Sequence, residues 1–310
     1  MSVKLPFVTA DELDELLPMK VAIDALEAAF ATDVRPEAPL RSRIETGHGD
    51  LLLMPAVGEA GAGVKLVTVN PTNPSRGLPL IHALYALFSV PTLEPLVVFD
   101  GGALTGLRTA AVSGLATRHL ARPDSRTLVL FGAGVQAATH LEGMRTERPV
   151  DRVWIVSRTE DRARALAVRA AEIGLAAEVG EPRLVAEADL VCTCTTSAEP
   201  LFDGALLKSG AHVNAIGAYR PEARELDSET IRRGRIVVET REAALAEAGD
   251  LLIPIAEGSI TEGAILADLS EVVRGARVRT GPDDVTVFKS VGVAFEDLAV
   301  ARAAYDRMAG

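Results

Sequence analysis

The pattern of apolar and polar positions changes character about a third of the way along the chain. The first part contains short apolar runs that Pro and Gly separate. These runs cover residues 50–55, 63–69, 81–88 and 95–99. Runs of this length between turn residues predict strands, and the lack of long helical patterns between them indicates a mostly antiparallel sheet. Residues 10–32 instead repeat with a helical period, which predicts two helices broken near Pro18.

From Leu104 the pattern turns helical, and beyond Pro123 strands and helices are predicted to alternate. The predicted strands are 127–131, 153–156, 176–179, 189–195, 211–216 and 235–238, with helices beginning near 135, 160, 203, 227 and 242. Such alternation indicates parallel strands with right-handed crossovers. We therefore expect an α/β protein, with a doubly wound Rossmann domain over residues 120–289 and a mixed α+β domain over residues 1–119. A C-terminal helix over 290–310, in an apolar pattern that starts at Phe288, is expected to return to the first domain.

A glycine motif lies where the first strand of the predicted Rossmann domain ends. Residues 132–137 read Gly-Ala-Gly-Val-Gln-Ala, directly after an apolar strand and before a helical pattern. In this context Gly132 permits a tight turn, Gly134 lets backbone N–H groups approach a pyrophosphate, and Ala137 lets the helix pack on the strand. The motif predicts a dinucleotide site.

The end of the next predicted strand bears on the choice of dinucleotide. NAD sites usually carry an acid there for the ribose 2′-hydroxyl. Ser157, Arg158 and Thr159 stand there instead, and no acid precedes Glu160. An arginine with two hydroxyls suits a 2′-phosphate, so NADP(H) is favoured over NAD(H). The alternative is that Thr159 caps the following helix and Arg158 is solvated.

Composition limits the partners. The 310-residue chain carries a net charge of −11, which argues against nucleic acid and anionic membranes. No apolar run approaches the roughly 18 residues of a membrane span. The two cysteines, Cys192 and Cys194, share one predicted buried strand. Core burial is favoured over a metal site there, and without a disulfide framework a reducing cytoplasm is expected. The scattered histidines predict no catalytic metal.

Three basic residues of the first domain are candidates for binding an anion. Lys65 lies inside an apolar strand, Arg108 lies near the start of an apolar helix, and Arg41 follows Pro39 in a loop. Cations in apolar elements need partners. An anionic ligand is one answer, since Arg binds a carboxylate with two parallel bonds. Salt bridges to nearby acids are the other; Asp100 and Glu94 are examples.

The chain resembles the ornithine cyclodeaminase and mu-crystallin family along essentially its whole length. The matching segments are residues 53–56, 63–65, 104–113, 132–137 and 287–292. The resemblance implies an NAD(P)-dependent homodimer with a substrate and dimerisation domain beside a Rossmann domain. Family members include ornithine cyclodeaminases, alanine dehydrogenases, ketimine and cyclic imino acid reductases, and mu-crystallin, which binds thyroid hormone.

The resemblance also implies roles for individual residues. Arg41, Lys65 and Arg108 match those that hold the substrate carboxylate. The residues that match cofactor contacts are Thr109, Gly132, Gly134, Val135, Gln136, Ser157, Arg158, Thr159, Thr195, Thr196 and Val291. His82, in a strand beside the expected pocket, is a further candidate for contact with the ligand.

Two positions depart from the cyclodeaminases. Tyr219 stands where these enzymes carry a catalytic Asp, and Leu52 stands where they carry a Glu. Closing the ornithine ring requires a base, and a phenol with a pKa near 10 is a poor one. The pattern therefore favours the imine-reducing branch over cyclodeaminase activity.

The expected reaction is reduction of a C=N bond next to a carboxylate, in a cyclic imino acid such as Δ1-pyrroline-2-carboxylate. Lys65 and Arg108 are the expected catalytic residues; Lys65 is the first candidate for proton donor and Tyr219 the second. An amino acid dehydrogenase acting on alanine or a similar substrate is the enzymatic alternative. An NADPH-dependent ligand-binding protein like mu-crystallin is the alternative from another class. The N-terminal sheet is expected to pair with that of a second copy.

Overall fold

The computed structural model describes residues 5–32 and 36–309. The chain divides into two compact units. The first unit contains the chain up to Arg108 together with the segment from Val293 onward, and the second unit runs from Thr109 to Gly292. The sequence placed this division at residue 119, whereas it falls inside a long helix, Gly101–Leu120.

The first unit is built on a six-stranded sheet. Its strands are β1 (Phe7–Val8), β2 (Ser42–Glu45), β3 (Asp50–Gly58), β4 (Gly61–Val69), β5 (Ile81–Phe88) and β6 (Pro95–Asp100). Their spatial order is β1-β6-β5-β4-β3-β2, and all neighbours are antiparallel except β1 and β6. The predicted strands are therefore present, and the sequence missed the short strands at the two edges.

Three helices accompany this sheet: α1 (Ala10–Leu16), α2 (Met19–Ala31) and α10 (Ala294–Ala309), while the long helix Gly101–Leu120 is α3. As predicted, α1 and α2 are separate, because Pro18 stands at the N-cap of α2. Helix α10 contacts α2 and strands β3 to β5. The Phe295 ring meets Phe30 of α2 edge to face, at 4.8 Å between centroids.

The alternation of side chains gives the first sheet one buried and one open face. Along β4, Lys65, Val67 and Val69 are buried, whereas Leu66 and Thr68 are exposed. The inward residues form the core with α2 and α10. The outward face keeps an unusual amount of apolar surface for a sheet with one free side.

The second unit is a parallel α/β layer structure. Its strands are β7 (Thr127–Phe131), β8 (Arg152–Val156), β9 (Ala176–Val179), β10 (Leu190–Thr193), β11 (His212–Ala215), β12 (Arg235–Val238), β13 (Ile265–Asp268) and β14 (Thr286–Lys289). Its remaining helices are α4 (Val135–Glu147), α5 (Glu160–Glu172), α6 (Ser228–Arg233), α7 (Arg241–Glu247), α8 (Gly249–Ala256) and α9 (Leu269–Val273). All eight strands are parallel, in the order β13-β12-β14-β11-β10-β7-β8-β9.

This topology confirms the predicted fold class, a Rossmann domain with a second mixed unit. The chain leaves β7 toward β8 on one side and later returns to β10 on the other side, so β7 and β10 flank a topological switch point. Helices α4 and α5 bury Ala137, Leu141 and Leu166 against the β7, β8 and β10 strands.

The sequence prediction was wrong at two places in the second unit. The apolar run from Phe288 is not helical at its start: β14 occupies Thr286–Lys289, and α10 begins only at Ala294. Val287 and Phe288 are fully buried in a central strand, and such a short apolar run looks alike in a strand and a buried helix. The helix predicted near 203 is a single 3₁₀ turn, Gly204–Leu206.

Within the described ranges, no helix combines the length and the apolar character needed to cross a membrane.

Candidate functional site

The glycine loop after β7 has the predicted geometry. Gly132 adopts a φ of +110°, which disfavours any residue with a side chain. A Cβ at this position would also lie 2.6 Å from the Cys194 carbonyl oxygen of the neighbouring strand end. Gly132 is thus required by the protein itself, because the chain must turn closely past β10.

Gly134 has a different reason to be glycine. Its φ of −98° is open to any residue, and a Cβ built on it would meet no protein atom within 4 Å. Gly134 is the N-cap of α4 and provides no side-chain cap, and the first turn of α4 carries no acid. Unfilled space before a helix N-terminus fits a pyrophosphate, because the first N–H groups of a helix have no partner within the helix itself. The loop therefore fits the predicted dinucleotide.

The end of β8 presents the predicted polar set. Arg158 and Thr159 are exposed and Ser157 is half-buried. Thr159 is the N-cap residue of α5, but its side chain makes no cap hydrogen bond to the helix. Instead the Thr159 N–H donates to Ser157 Oγ at 3.2 Å. In the part of the chain that is described, Arg158 makes no ion pair.

A buried carboxylate, which sequence reasoning missed, holds the loops at the carboxyl ends of β10 and β11. Glu225 accepts hydrogen bonds from the Thr193 hydroxyl at 2.8 Å, from the Thr195 N–H and hydroxyl at 2.7 Å, and from the Gly217 N–H at 2.7 Å. Burial raises the pKa of Glu225, and the charge of Asp250 adds to this. Lys289 and the threonine hydroxyls oppose the rise.

A buried lysine completes this network. The Lys289 ammonium lies 2.8 Å from Asp250 Oδ2 and donates to the carbonyls of Ala215 and Ala218, at 3.3 and 2.5 Å. Asp250 Oδ1 in turn accepts from the Glu225 N–H at 2.7 Å. Three protein oxygens thus lie within 3.3 Å of the Lys289 ammonium.

The other predicted cofactor contacts in the second unit lie at strand ends or beside them. Thr196 is exposed, and Val291 is buried after β14. The Val291 N–H donates to Glu239 at 3.0 Å, which fixes that loop. The hydroxyl of Thr109 is buried and has no hydrogen-bond partner among the described residues, as expected of a group that binds a ligand.

Tyr219 follows β11 and is half-buried. Its ring lies 5.9 Å from the guanidinium carbon of Arg220, measured to the ring centroid.

In the first unit, Lys65 of β4 is 1% exposed and points into the buried face. Its ammonium lies 2.8 Å from both carboxylate oxygens of Asp297, in the first turn of α10. Among the described residues Asp297 is the hydrogen-bond partner of Lys65. Two oxygens occupy at most two of the three N–H donors, so at least one remains for a ligand.

Arg108 is joined to the same helix turn. Its Nε donates to Asp297 Oδ1 at 3.1 Å and its Nη1 donates to Glu296 Oε2 at 2.9 Å. The acids suggested from the sequence are not the partners. Asp100 accepts from the Gly102 N–H at the start of α3, and Glu94 accepts from Thr92.

The positive charges of Arg108 and Arg41 both act on the Lys65 ammonium. The pKa of the Lys65 ammonium is lowered to about 8, chiefly by burial and also by the positive charges of Arg108 and Arg41, whereas Asp297 acts to raise it. We call Arg41, Lys65 and Arg108 the cation cluster, and Glu296 and Asp297 the acid pair. Lys65 and Arg108 of this cluster contact the acid pair directly.

His82 is not brought to this cluster. Lys65 pairs with Tyr85 across β4 and β5, whereas His82 pairs with Thr68. Because successive residues alternate between faces, His82 lies on the exposed face and Lys65 on the buried one. The sequence pattern placed His82 in a strand, but only the register shows which way it points.

The cysteines fit the core interpretation. Cys192 is fully buried in β10, and Cys194 follows the strand. Burial raises the pKa of the Cys192 thiol to about 12, so it stays neutral. Over the described ranges, no cluster of three or more His, Cys, Asp or Glu side chains could hold a metal ion.

The two units together define a class: a dinucleotide-binding α/β protein that also carries a buried cationic site. A sequence profile of the ornithine cyclodeaminase/mu-crystallin family matches residues 4–310. A Δ(1)-pyrroline-2-carboxylate reductase of Bacillus cereus is 37% identical in an alignment of 311 positions. The alignment covers 97% of this chain and 95% of the relative. The chain belongs to the ornithine cyclodeaminase/mu-crystallin family, as its motifs predicted.

Two solved structures are also similar over almost the full length. The Thermococcus litoralis Δ(1)-pyrroline-2-carboxylate reductase in complex with NADH and L-proline has a TM-score of 0.95 and 35% identity, covering 98% of each chain. An archaeal alanine dehydrogenase dimer with bound NAD has a TM-score of 0.93 and 32% identity, covering 98% of this chain and 96% of the other.

Proposed function

We propose that this protein is an NAD(P)H-dependent reductase of cyclic imino acids, reducing a C=N bond next to a carboxylate as in Δ1-pyrroline-2-carboxylate. The observation that carries the proposal is the buried pair of cations within this cluster, Lys65 and Arg108. Both contact the acid pair, and Lys65 keeps a donor unused by the protein. An organic monoanion with a basic nitrogen suits such a site.

The broader class follows from the family. The chain is an oxidoreductase, and its glycine loop fits a nicotinamide dinucleotide. Relatives of similar sequence reduce Δ1-pyrroline-2-carboxylate, and one is known with NADH and L-proline. L-proline is the product expected from this substrate, so the relatives support the same chemistry here.

In the proposed reaction the loop of Gly132 and Gly134 would hold the dinucleotide, which would supply the hydride for the imine carbon. Arg41 and Arg108 bind the carboxylate and orient the C=N bond, which contributes much of the acceleration. The Lys65 ammonium donates a proton to the imine nitrogen, so the C=N bond becomes CH–NH and one nicotinamide is oxidised. A lysine whose pKa is about 8 gives up this proton more readily than an exposed lysine does. Tyr219 is the second candidate for the donor.

The test is an assay of purified protein with Δ1-pyrroline-2-carboxylate and Δ1-piperideine-2-carboxylate, each with NADPH and with NADH. We expect oxidation of the cofactor at a rate proportional to enzyme, with L-proline or L-pipecolate as product. No oxidation above background with either substrate would refute the proposal.

Ornithine cyclisation is disfavoured by the same site. Leu52, where cyclodeaminases carry a Glu, is a buried residue of β3 on the same face as Lys65. Tyr219 replaces their catalytic Asp. We therefore expect no release of ammonia from L-ornithine under conditions in which the imine is reduced.

Dehydrogenation of an amino acid such as alanine is a second candidate, because the archaeal alanine dehydrogenase is similar at 32% identity. The two activities differ in their need for ammonia. If pyruvate is reduced with NADPH or NADH only when ammonium is added, and at a rate above that of the cyclic imines, alanine dehydrogenase is the better description.

We further propose that NADP(H) is preferred over NAD(H). Arg158 is exposed beside Ser157 and Thr159, and no acid stands at the end of β8 to repel a 2′-phosphate. Replacing Arg158 by Ala should lower kcat/KM for NADPH by about 10- to 100-fold, the value of one or two charge-assisted bonds, and leave that for NADH unchanged. Equal losses with both cofactors would contradict the preference.

We also propose a homodimer formed by the exposed face of the first sheet. Phe7, Ile44, Val57, Leu66 and Leu84 on this face are each between 40% and 53% exposed. Contiguous apolar surface of this kind is typical of an interface between subunits. The variant Leu66→Glu/Leu84→Glu should be monomeric in sedimentation experiments, whereas Thr68→Glu, at the rim beside His82, should weaken the dimer less. A monomeric wild type would refute the proposal.

A further inference from the structure

The acid pair lies on a helix turn that the fold fixes from several sides. Glu296 and Asp297 are both fully buried in the first turn of α10. Phe295 packs on Phe30 of α2, and the Leu298 side chain approaches Gly61 of β4. Two neighbouring carboxylates with no exposed surface are costly unless cations pair with them. The packing of α10 therefore fixes the positions of Glu296 and Asp297, and Lys65 and Arg108 pair with them there.

The two acids differ in the cations that they contact. Asp297 contacts both Lys65 and Arg108, whereas Glu296 contacts Arg108 through a different guanidinium nitrogen. Only Asp297 therefore touches the ammonium that the proposed reaction uses.

None of the other described groups around Lys65 stabilises its positive charge. Arg108 from α3 and Arg41 from the segment before β2 are cations. Tyr85 of β5 stands opposite Lys65 in register. Burial and the charge of Asp297 raise the pKa of the Tyr85 phenol, so it stays neutral. Met54, on the β3 side, carries no charge. Among the described residues, Asp297 is thus the anion that keeps this ammonium charged.

The geometry points to Asp297 as a positioning residue that keeps Lys65 protonated and oriented for delivery of its proton to the imine nitrogen. Glu296 instead orients Arg108 for the substrate carboxylate. This inference rests on the proposed imine reduction. After each turnover Lys65 is neutral, and a proton from solvent restores the ammonium beside Asp297, so protons and charge balance over the cycle.

The test compares two matched substitutions, Asp297→Asn and Glu296→Gln. Each replaces a buried acid by its amide, and each removes one contact to Arg108, but only the first removes the partner of Lys65. Because loss of the negative charge lowers the pKa of Lys65, Asp297→Asn should move the alkaline fall of kcat to lower pH, by about 1 to 3 pH units. Activity should recover toward the wild-type value as the pH is lowered.

Glu296→Gln should leave the alkaline fall of kcat in place and raise KM for the imino acid. A loss of kcat in Asp297→Asn by the same factor at every pH would indicate a merely structural role and overturn the inference. An equal pH shift in Glu296→Gln would overturn it as well.

If Asp297→Asn does not fold by circular dichroism, Asp297→Glu is used in its place. That variant retains the charge, so the alkaline fall should stay within about half a pH unit of the wild type, and a larger displacement contradicts the inference.

A titration of the lysine ammonium groups by ¹⁵N NMR separates this inference from the proposed function. The Lys65 signal, assigned with Lys65→Arg, should titrate at lower pH in Asp297→Asn than in the wild type, with no substrate present. Failure of the wild type to reduce any imino acid refutes the function. An unchanged Lys65 titration refutes the role of Asp297.

Discussion

Each of the two units buries a lysine beside an aspartate, but the two pairs have different roles. Lys289 and Asp250 lie 2.8 Å apart in the second unit, and Lys65 and Asp297 lie 2.8 Å apart in the first. The Lys289 ammonium lies within 3.3 Å of three protein oxygens, two of which are the backbone carbonyls of Ala215 and Ala218. Lys65 retains a donor and has two further cations as neighbours. The contacts of Lys289 with two backbone carbonyls fix a loop, whereas the Lys65 ammonium donates to no backbone carbonyl of the described chain and keeps a donor for chemistry.

The largest effect is expected where the donor is unsaturated. Lys65→Met removes the proposed proton donor and should lower kcat for imine reduction by about 10²- to 10⁴-fold. Its free energy of unfolding should change less than that of the next variant, because Arg108 still pairs with Asp297. Steady-state kinetics and urea denaturation measure the two quantities. A stable Lys65→Met protein with wild-type kcat would remove Lys65 from the mechanism.

The matched change in the second unit should act on stability. Lys289→Met leaves Asp250 and Glu225 buried without their cation, which costs about 3 to 5 kcal/mol of unfolding free energy. Urea denaturation followed by circular dichroism gives the value. If Lys289→Met and Lys65→Met lose the same stability and the same activity, the distinction between the two pairs is wrong.

The pH dependence of stability provides a third comparison. The pKa of Lys65 is about 8 in the folded protein against 10.5 as its ordinary value, so the unfolded chain binds the extra proton between these pH values. Stability of the wild type relative to Lys65→Met should therefore rise from pH 8 to 10.5, by at most about 3.4 kcal/mol. Denaturation curves at several pH values check the sign. A relative stability that falls across this range would contradict the lowered pKa.

The smallest effect is expected at an exposed side chain with no structural hydrogen bond. Thr159→Ala should change the unfolding free energy by less than about 0.5 kcal/mol, because Thr159 does not cap α5 through its hydroxyl. The same change should raise KM for NADPH more than KM for NADH. A stability loss of about 1 kcal/mol, typical of a lost cap, would restore the capping interpretation.

Local patterns were enough to predict much of the fold and half of the site. The glycine loop could be recognised because its turn, strand and helix are neighbours in sequence. Lys65 stood out because a charge inside an apolar strand is unusual. The partner of Lys65 could not be found in this way, since Asp297 lies 232 residues further along the chain.

The missed acids share one physical reason. Glu225, Glu239, Glu296 and Asp297 lie in segments that look like ordinary loops or amphipathic helix starts, where acids are common. Only the packing of α10 and the order of the parallel strands shows that they are buried. The strand β14 was missed for a related reason, because a run of four residues, Thr286–Lys289, is too short to reveal its period.

Gly134 offers a way to uncouple folding from nucleotide affinity. The protein makes no use of the missing side chain, so a larger residue there should be accepted by the folded chain while filling the room before α4. Gly132, two residues earlier, gives no such freedom, because its backbone conformation and the Cys194 carbonyl both exclude a Cβ. A bulky substitution at 134 would thus yield a well-folded apoprotein, a reagent for separating what the amino-terminal unit binds by itself from what requires the dinucleotide.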